Sequence, residues 1–162
     1  YFGYGTYLDD DESRNYVPNA RKVTTGLAKN RKFVMCAFNG RSDRGYCHIT
    51  DTVEALGSDV RGIIFEHDPK YFREYPGFER FFLTVYGDDG KMYECWSLRM
   101  IDPGVAMRPP NYYWKHIADG LSKCNFPGEY VRSIYETYES ALPCPDAERP
   151  EPAPTAPVEA KV

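Results

Sequence analysis

The sequence has 162 residues, 42% of them hydrophobic and 15% aromatic, which suits one domain with a substantial core. Its net charge of −4, with no run of lysine and arginine, argues against a nucleic-acid partner. No apolar run reaches the ~18 residues of a membrane-spanning helix.

Taken in chain order, Tyr1-Phe2-Gly3-Tyr4-Gly5-Thr6-Tyr7-Leu8 alternates aromatic residues with glycine and threonine. This reads as a short buried strand running into a tight loop. Gly5 can adopt backbone angles closed to other residues, so consecutive N–H groups there can form a concave nest for a carboxylate. The acids Asp9 to Glu12 read as a solvated turn near a helix start. Residues 13–32 are polar and basic, with Pro18 and Gly26, and suggest irregular structure around a short helical turn.

Phe33 to Phe38 is an apolar run of strand length, ended by Asn39-Gly40. The polar loop at 40–45 carries Arg41 and Arg44, either bidentate carboxylate ligands or ordinary exposed arginines. Tyr46 to Ile49 forms another short strand. Val60 to Glu66 follows, and its Gly62-Ile63-Ile64-Phe65 run implies burial on both faces. Residues 67–77 form a short turn or helix broken by proline and glycine. Phe81 to Tyr86 and Met92 to Met100 then make a β-hairpin around Asp89-Gly90.

The last third turns helical. Trp114, Ile117, Ala118 and Leu121 share one face, and after Pro127 a second stripe runs through Tyr130, Val131, Ile134, Tyr135 and Tyr138. Both stripes read as core packing. The proline-rich composition from Pro143 to Val162 leaves little to bury, so a domain of residues 1–142 is expected to precede a disordered tail at 143–162. Strands first and helices last make an α+β domain.

Five cysteines, Cys36, Cys47, Cys95, Cys124 and Cys144, are odd in number and scattered, with no Cys-x-x-Cys pair. That pattern predicts buried free thiols in a cytoplasmic protein, with neither a disulfide framework nor a zinc site. His48, His67 and His116 lack metal-ligand spacing, so no metal is expected. Because the sequence starts at Tyr1 and not Met, a preceding segment stays open.

Tyr4-Gly5-Thr6-Tyr7-Leu8 resembles the opening loop of the gamma-glutamylcyclotransferase superfamily. Gly62-Ile63-Ile64-Phe65 is similar to that family's glycine-led strand, and Cys95 to Met100 to a later one. Pro110 to Tyr135 resembles its two C-terminal helices, including Tyr113 and the Pro-Gly-Glu-Tyr at 127–130. The resemblance spans roughly residues 1–140, in the family's order. It implies a small mixed β-barrel flanked by helices, with a pocket at one mouth lined by Tyr4, Gly5, Thr6, Tyr7, Leu8 and Tyr113.

The family's reaction closes a γ-glutamyl group on itself. The α-amine attacks the γ-carbonyl, forming 5-oxoproline and releasing an amine or amino acid. The resemblance therefore implies a small γ-glutamyl substrate and no cofactor. A homodimer is left open. One carboxylate is required to move protons. Glu74, in Glu74-Tyr75-Pro76, matches the family's order for this group, with Glu79 as second choice. Aligning on Gly77 instead puts Pro76 at that position, which implies a non-catalytic binder of a small carboxylated ligand. An enzyme of a specialised pathway, using the same pocket for another acid/base step, is the third reading.

Overall fold

The computed structural model describes residues 1–16, 19–68, 70 and 75–153, with the side chains of residues 11, 15 and 16 excepted. Among the described residues eight strands and three α-helices follow one another: β1 (Phe2–Gly3), α1 (Asp10–Tyr16), β2 (Arg21–Lys29), β3 (Lys32–Phe38), β4 (Tyr46–Thr50), β5 (Asp59–Glu66), β6 (Phe78–Gly87), β7 (Met92–Met100), β8 (Pro103–Ala106), α2 (Asn111–Lys123) and α3 (Gly128–Ser140). A 3₁₀ turn over Gly5–Leu8 links β1 to α1. The α+β class expected from the sequence is the class observed.

The strands form two antiparallel sheets, one ordered β1-β5-β2-β6-β7 and one ordered β4-β3-β8. They meet where β4 packs on β7: the Met100 amide donates to His48 Nδ1 at 3.0 Å, a bond buried between them. β5 is buried on both faces, through Val60, Ile63, Ile64 and Phe65, as its unbroken apolar run requires. The β6–β7 hairpin pairs Leu83 with Cys95 and turns at Asp88-Asp89-Gly90, with Gly90 in the left-handed region at φ 82°.

β2 departs from the irregular structure expected over 13–32. It is a nine-residue strand between β5 and β6. Its buried positions are Gly26 and Ala28, so no large apolar residue marks it in the sequence. The neighbours supply the apolar cover instead, and strand pairing overrides a weak local preference. A register shift between Lys22 and Thr24 further blurs its alternation.

The two C-terminal helices lie where their stripes placed them. Ile117 and Leu121 of α2 and Ile134 of α3 enter the core. Trp114 stacks on Tyr138 with ring centroids 4.0 Å apart, and Tyr135 meets its edge at 5.1 Å. All five cysteines are free thiols. Among the described residues no helix is long and apolar enough to cross a membrane.

The disordered tail expected from Pro143 does not describe residues 143–153. The Asn111 amide donates to Ala147 O at 2.9 Å, and Asn111 Nδ2 to Glu148 at 2.8 Å. The buried Cys144 thiol reaches Asp43 O at 3.7 Å, and Glu151 pairs with His116. Composition registers only how much apolar surface a segment can bury. This one is held by main-chain and charged hydrogen bonds, which composition does not show. Residues 154–162 lie outside the described part.

Candidate functional site

The site begins at the 3₁₀ turn Gly5–Leu8. Gly5 sits at φ +64°, and a Cβ there would lie 2.6 Å from Cys47 Sγ, so the turn can press against β4 only with glycine. From the other side α2 comes down through Gly120, where a Cβ would lie 2.5 Å from the Cβ of Leu8. Two tyrosines fix the joint: Tyr4 donates its hydroxyl to Leu98 O at 2.6 Å, and Tyr113 Oη accepts the Cys47 amide at 3.1 Å. Turn, β4, β7 and α2 thereby enclose a cavity of ≈ 200 Å³.

Of the residues expected at the pocket, Tyr4, Thr6, Tyr7 and Tyr113 line this cavity. Leu8 is instead buried in the core, and Gly5 braces the turn from behind. The turn also uses one of the amides expected to face a ligand, because Tyr7 N–H donates to Tyr4 O at 3.3 Å. Glu74 lies outside the described residues. Glu79 is brought elsewhere: it follows Phe78, which lines the cavity, and therefore points to the opposite face of β6. There its carboxylate pairs with Arg99 Nε at 2.8 Å.

Two charged-type residues outside the expected pocket set also line the cavity. Arg44 is only 6% exposed. Its guanidinium lies 4.2 Å from the Tyr46 ring centre and 5.2 Å from that of Tyr113, and it donates to Tyr112 Oη at 2.8 Å. Among the described residues no carboxylate forms an ion pair with it. The bidentate reading of Arg44 was in the sequence; its burial was not. Arg41 is exposed.

Glu12 is the second, also 6% exposed, and with Asp9 at 3% it overturns the solvated turn expected over Asp9 to Glu12. Both acids gather on His116 of α2. Asp9 Oδ2 lies 2.6 Å from Nδ1, while Glu151 Oε1 and Glu12 Oε2 lie 2.6 and 3.4 Å from Nε2. Lys123 adds a 3.0 Å contact to Asp9. Burial alone would lower the His116 pKa, but the hydrogen bonds to Asp9 and Glu151 and the charge of Glu12 outweigh it and raise it. Asp9 moves the other way, its burial outweighed by His116 and Lys123. The ligand atoms of Glu12, His116 and Glu151 all lie within 4.8 Å of one another, a spacing compatible with a metal ion. As it stands, both ring nitrogens are hydrogen-bonded to carboxylates, and the cluster is an ion-pair network that runs from the buried Asp9 and Glu12 to the exposed Glu151.

The remaining polar groups of the lining are hydroxyls and one thiol. Burial pushes the phenols of Tyr4 and Tyr113 well above their ordinary range, and the Cys47 thiol up to about 12. What the cavity offers chemically is a cation at Arg44, a carboxyl at Glu12, and aromatic walls carrying hydroxyls.

No protein-family model and no curated protein matches the sequence. Solved structures do match the fold. One described as a gamma-glutamyl cyclotransferase aligns with a TM-score of 0.73 at 19% identity, over 88% of this chain and 87% of that one. A human protein described as uncharacterized aligns at 0.69 and 19% identity, over 88% and 87%. YkqA from Bacillus subtilis aligns at 0.68 and 16% identity, over 88% of this chain and 55% of its own. The chain has the gamma-glutamyl cyclotransferase-like fold.

Proposed function

We propose that the protein is a cofactor-independent cyclotransferase that converts a γ-glutamyl amine or amino acid into 5-oxoproline and the free amine. The observation that carries this reading is the pairing of a buried arginine and a buried glutamate in one cavity beside the Gly5–Leu8 turn. A γ-glutamyl group ends in an α-carboxylate and an α-ammonium. Arg44 takes the carboxylate with its planar fork, and Glu12 faces the ammonium. The fold shared with a gamma-glutamyl cyclotransferase supports the same chemistry.

Ring closure to a five-membered lactam already brings amine and carbonyl together, so the protein has to fold the substrate and move protons. The α-amine nitrogen bonds to the γ-carbonyl carbon as the bond from that carbon to the leaving nitrogen breaks. Two protons of the ammonium pass to the leaving nitrogen, and the products are 5-oxoproline carboxylate and an alkylammonium ion. Glu74 carries the protons in this proposal and Glu12 holds the ammonium. The Tyr4 and Tyr113 hydroxyls stay protonated and hold the frame of the pocket, Tyr4 on Leu98 O and Tyr113 on Cys47.

The test is the pair Glu74→Gln and Glu12→Gln, assayed for 5-oxoproline release from a γ-glutamyl amide. Glu74→Gln is expected to cut kcat ~10²–10⁴-fold, and Glu12→Gln to act mainly on KM. Full kcat in Glu74→Gln with a collapse in Glu12→Gln would transfer the acid/base role to Glu12. No turnover of any γ-glutamyl compound by the wild type would leave the non-catalytic reading, in which Pro76 occupies the family's glutamate position and Arg44 binds a carboxylate. A cytoplasmic setting is part of the proposal and is supported by the five free thiols.

A further inference from the structure

Resting on that reading, we infer that the leaving amine is carboxylate-free and carries an aromatic or bulky apolar body. The charges in the cavity are the first ground. Arg44 carries the one cationic side chain among its described lining residues. Its guanidinium is hemmed in by Tyr46, Tyr112 and Tyr113, so it serves a single carboxylate at that end. A second carboxylate on the leaving group would meet aromatic walls that, among the described lining residues, offer it no further cationic side chain, and partial desolvation without a partner disfavours it.

The walls are the second ground. Besides the three rings around Arg44, Tyr1, Tyr7, Tyr75 and Phe78 also line the cavity. Tyr1 and Tyr7 meet edge to face with centroids 5.4 Å apart, leaving aromatic surface rather than fixed charge for the leaving group to contact. The Tyr1 hydroxyl is buried, and beyond its neighbour Tyr7 no described residue offers it a hydrogen bond. A buried hydroxyl of that kind calls for a ligand atom, and the amide nitrogen or oxygen of a γ-glutamyl amide supplies one. An amine such as phenethylamine satisfies both grounds, whereas an amino acid or dipeptide satisfies only the walls.

Three compounds separate these demands. γ-Glutamyl-phenethylamide and γ-glutamyl-phenylalanine differ only by the second carboxylate, and γ-glutamyl-ethylamide differs from the first only by the ring. The full chain is expected to turn over the phenethylamide with kcat/KM at least ~10-fold above either of the others. Tyr7→Leu should bring phenethylamide and ethylamide closer while leaving the discrimination against the carboxylate intact. Equal or faster turnover of γ-glutamyl-phenylalanine, or of the ethylamide, overturns the inference and leaves the cyclotransferase reading standing. If none of the three is turned over, calorimetric binding decides. The same order of affinity keeps the specificity and removes the reaction, and any other order removes both.

Discussion

Arg44 and Glu12 are single residues whose meaning depends on where the chain puts them. In sequence, one is a loop arginine and the other the last of four acids. In the structure each is buried against the same cavity, because Gly5 lets the turn close on β4 and Gly120 lets α2 close on the turn. Arg44→Lys keeps the charge and loses the planar fork and the contact with Tyr46. It is expected to raise KM for a γ-glutamyl amide ~10–100-fold with kcat little changed, as steady-state kinetics would show. Gly5→Val meets both a left-handed backbone and the Cys47 sulfur. A loss of about 2–4 kcal/mol in urea denaturation is expected, and an undiminished midpoint would mean that the turn can move off β4. At this scale Tyr4, Thr6, Tyr7 and Tyr113 were legible from their motif. Arg44 was legible as a carboxylate ligand or an exposed arginine, and Glu12 only as a solvated acid; their burial was not, because burial is a property of the assembled elements.

Elements were legible in proportion to how much apolar surface they carry. β5, the β6–β7 hairpin and both C-terminal helices announce themselves by runs or stripes of large side chains. β2 does not, since glycine and alanine fill its buried positions. Residues 143–153 do not either, since polar bonds hold them to Asn111 and His116. A chain ending at Leu142 loses those bonds and the Pro152 wall of the cavity. Its melting temperature is expected to fall by about 2–6 °C by calorimetry, an effect consistent with one or two net kcal/mol in a domain of this size. An unchanged temperature would show that the segment rests on the body without stabilising it.

Across the whole molecule, two histidines give stability opposite pH dependences. Burial, aided by the charge of Arg99, lowers His48 to about 4 from 6.5, and its neutral Nδ1 accepts the bond that joins the sheets. The unfolded chain binds that proton more tightly. The His48 contribution is therefore complete above pH 6.5 and is lost as pH falls from 6.5 toward about 4. His67, lowered mainly by burial, acts in the same direction. His116 is raised, so its contribution is complete below 6.5 and is lost as pH rises through its folded value. Melting temperature plotted against pH should thus peak slightly acid of neutrality. His116→Gln should flatten the alkaline side alone, and a slope that survives it would assign that side to another group.

The cavity joins Glu12 to Pro152, and this fixes when it can exist during synthesis. At ~5–20 residues per second, on the order of ten seconds pass between the making of the two. Through that interval the aromatic wall stands open, and the imidazole of His116 has yet to receive its Glu151 partner. The Gly5–Leu8 turn is made well before the Pro152 wall that completes its cavity. Nascent chains arrested short of residue 143 should accordingly fail to retain a γ-glutamyl amide that the finished chain holds.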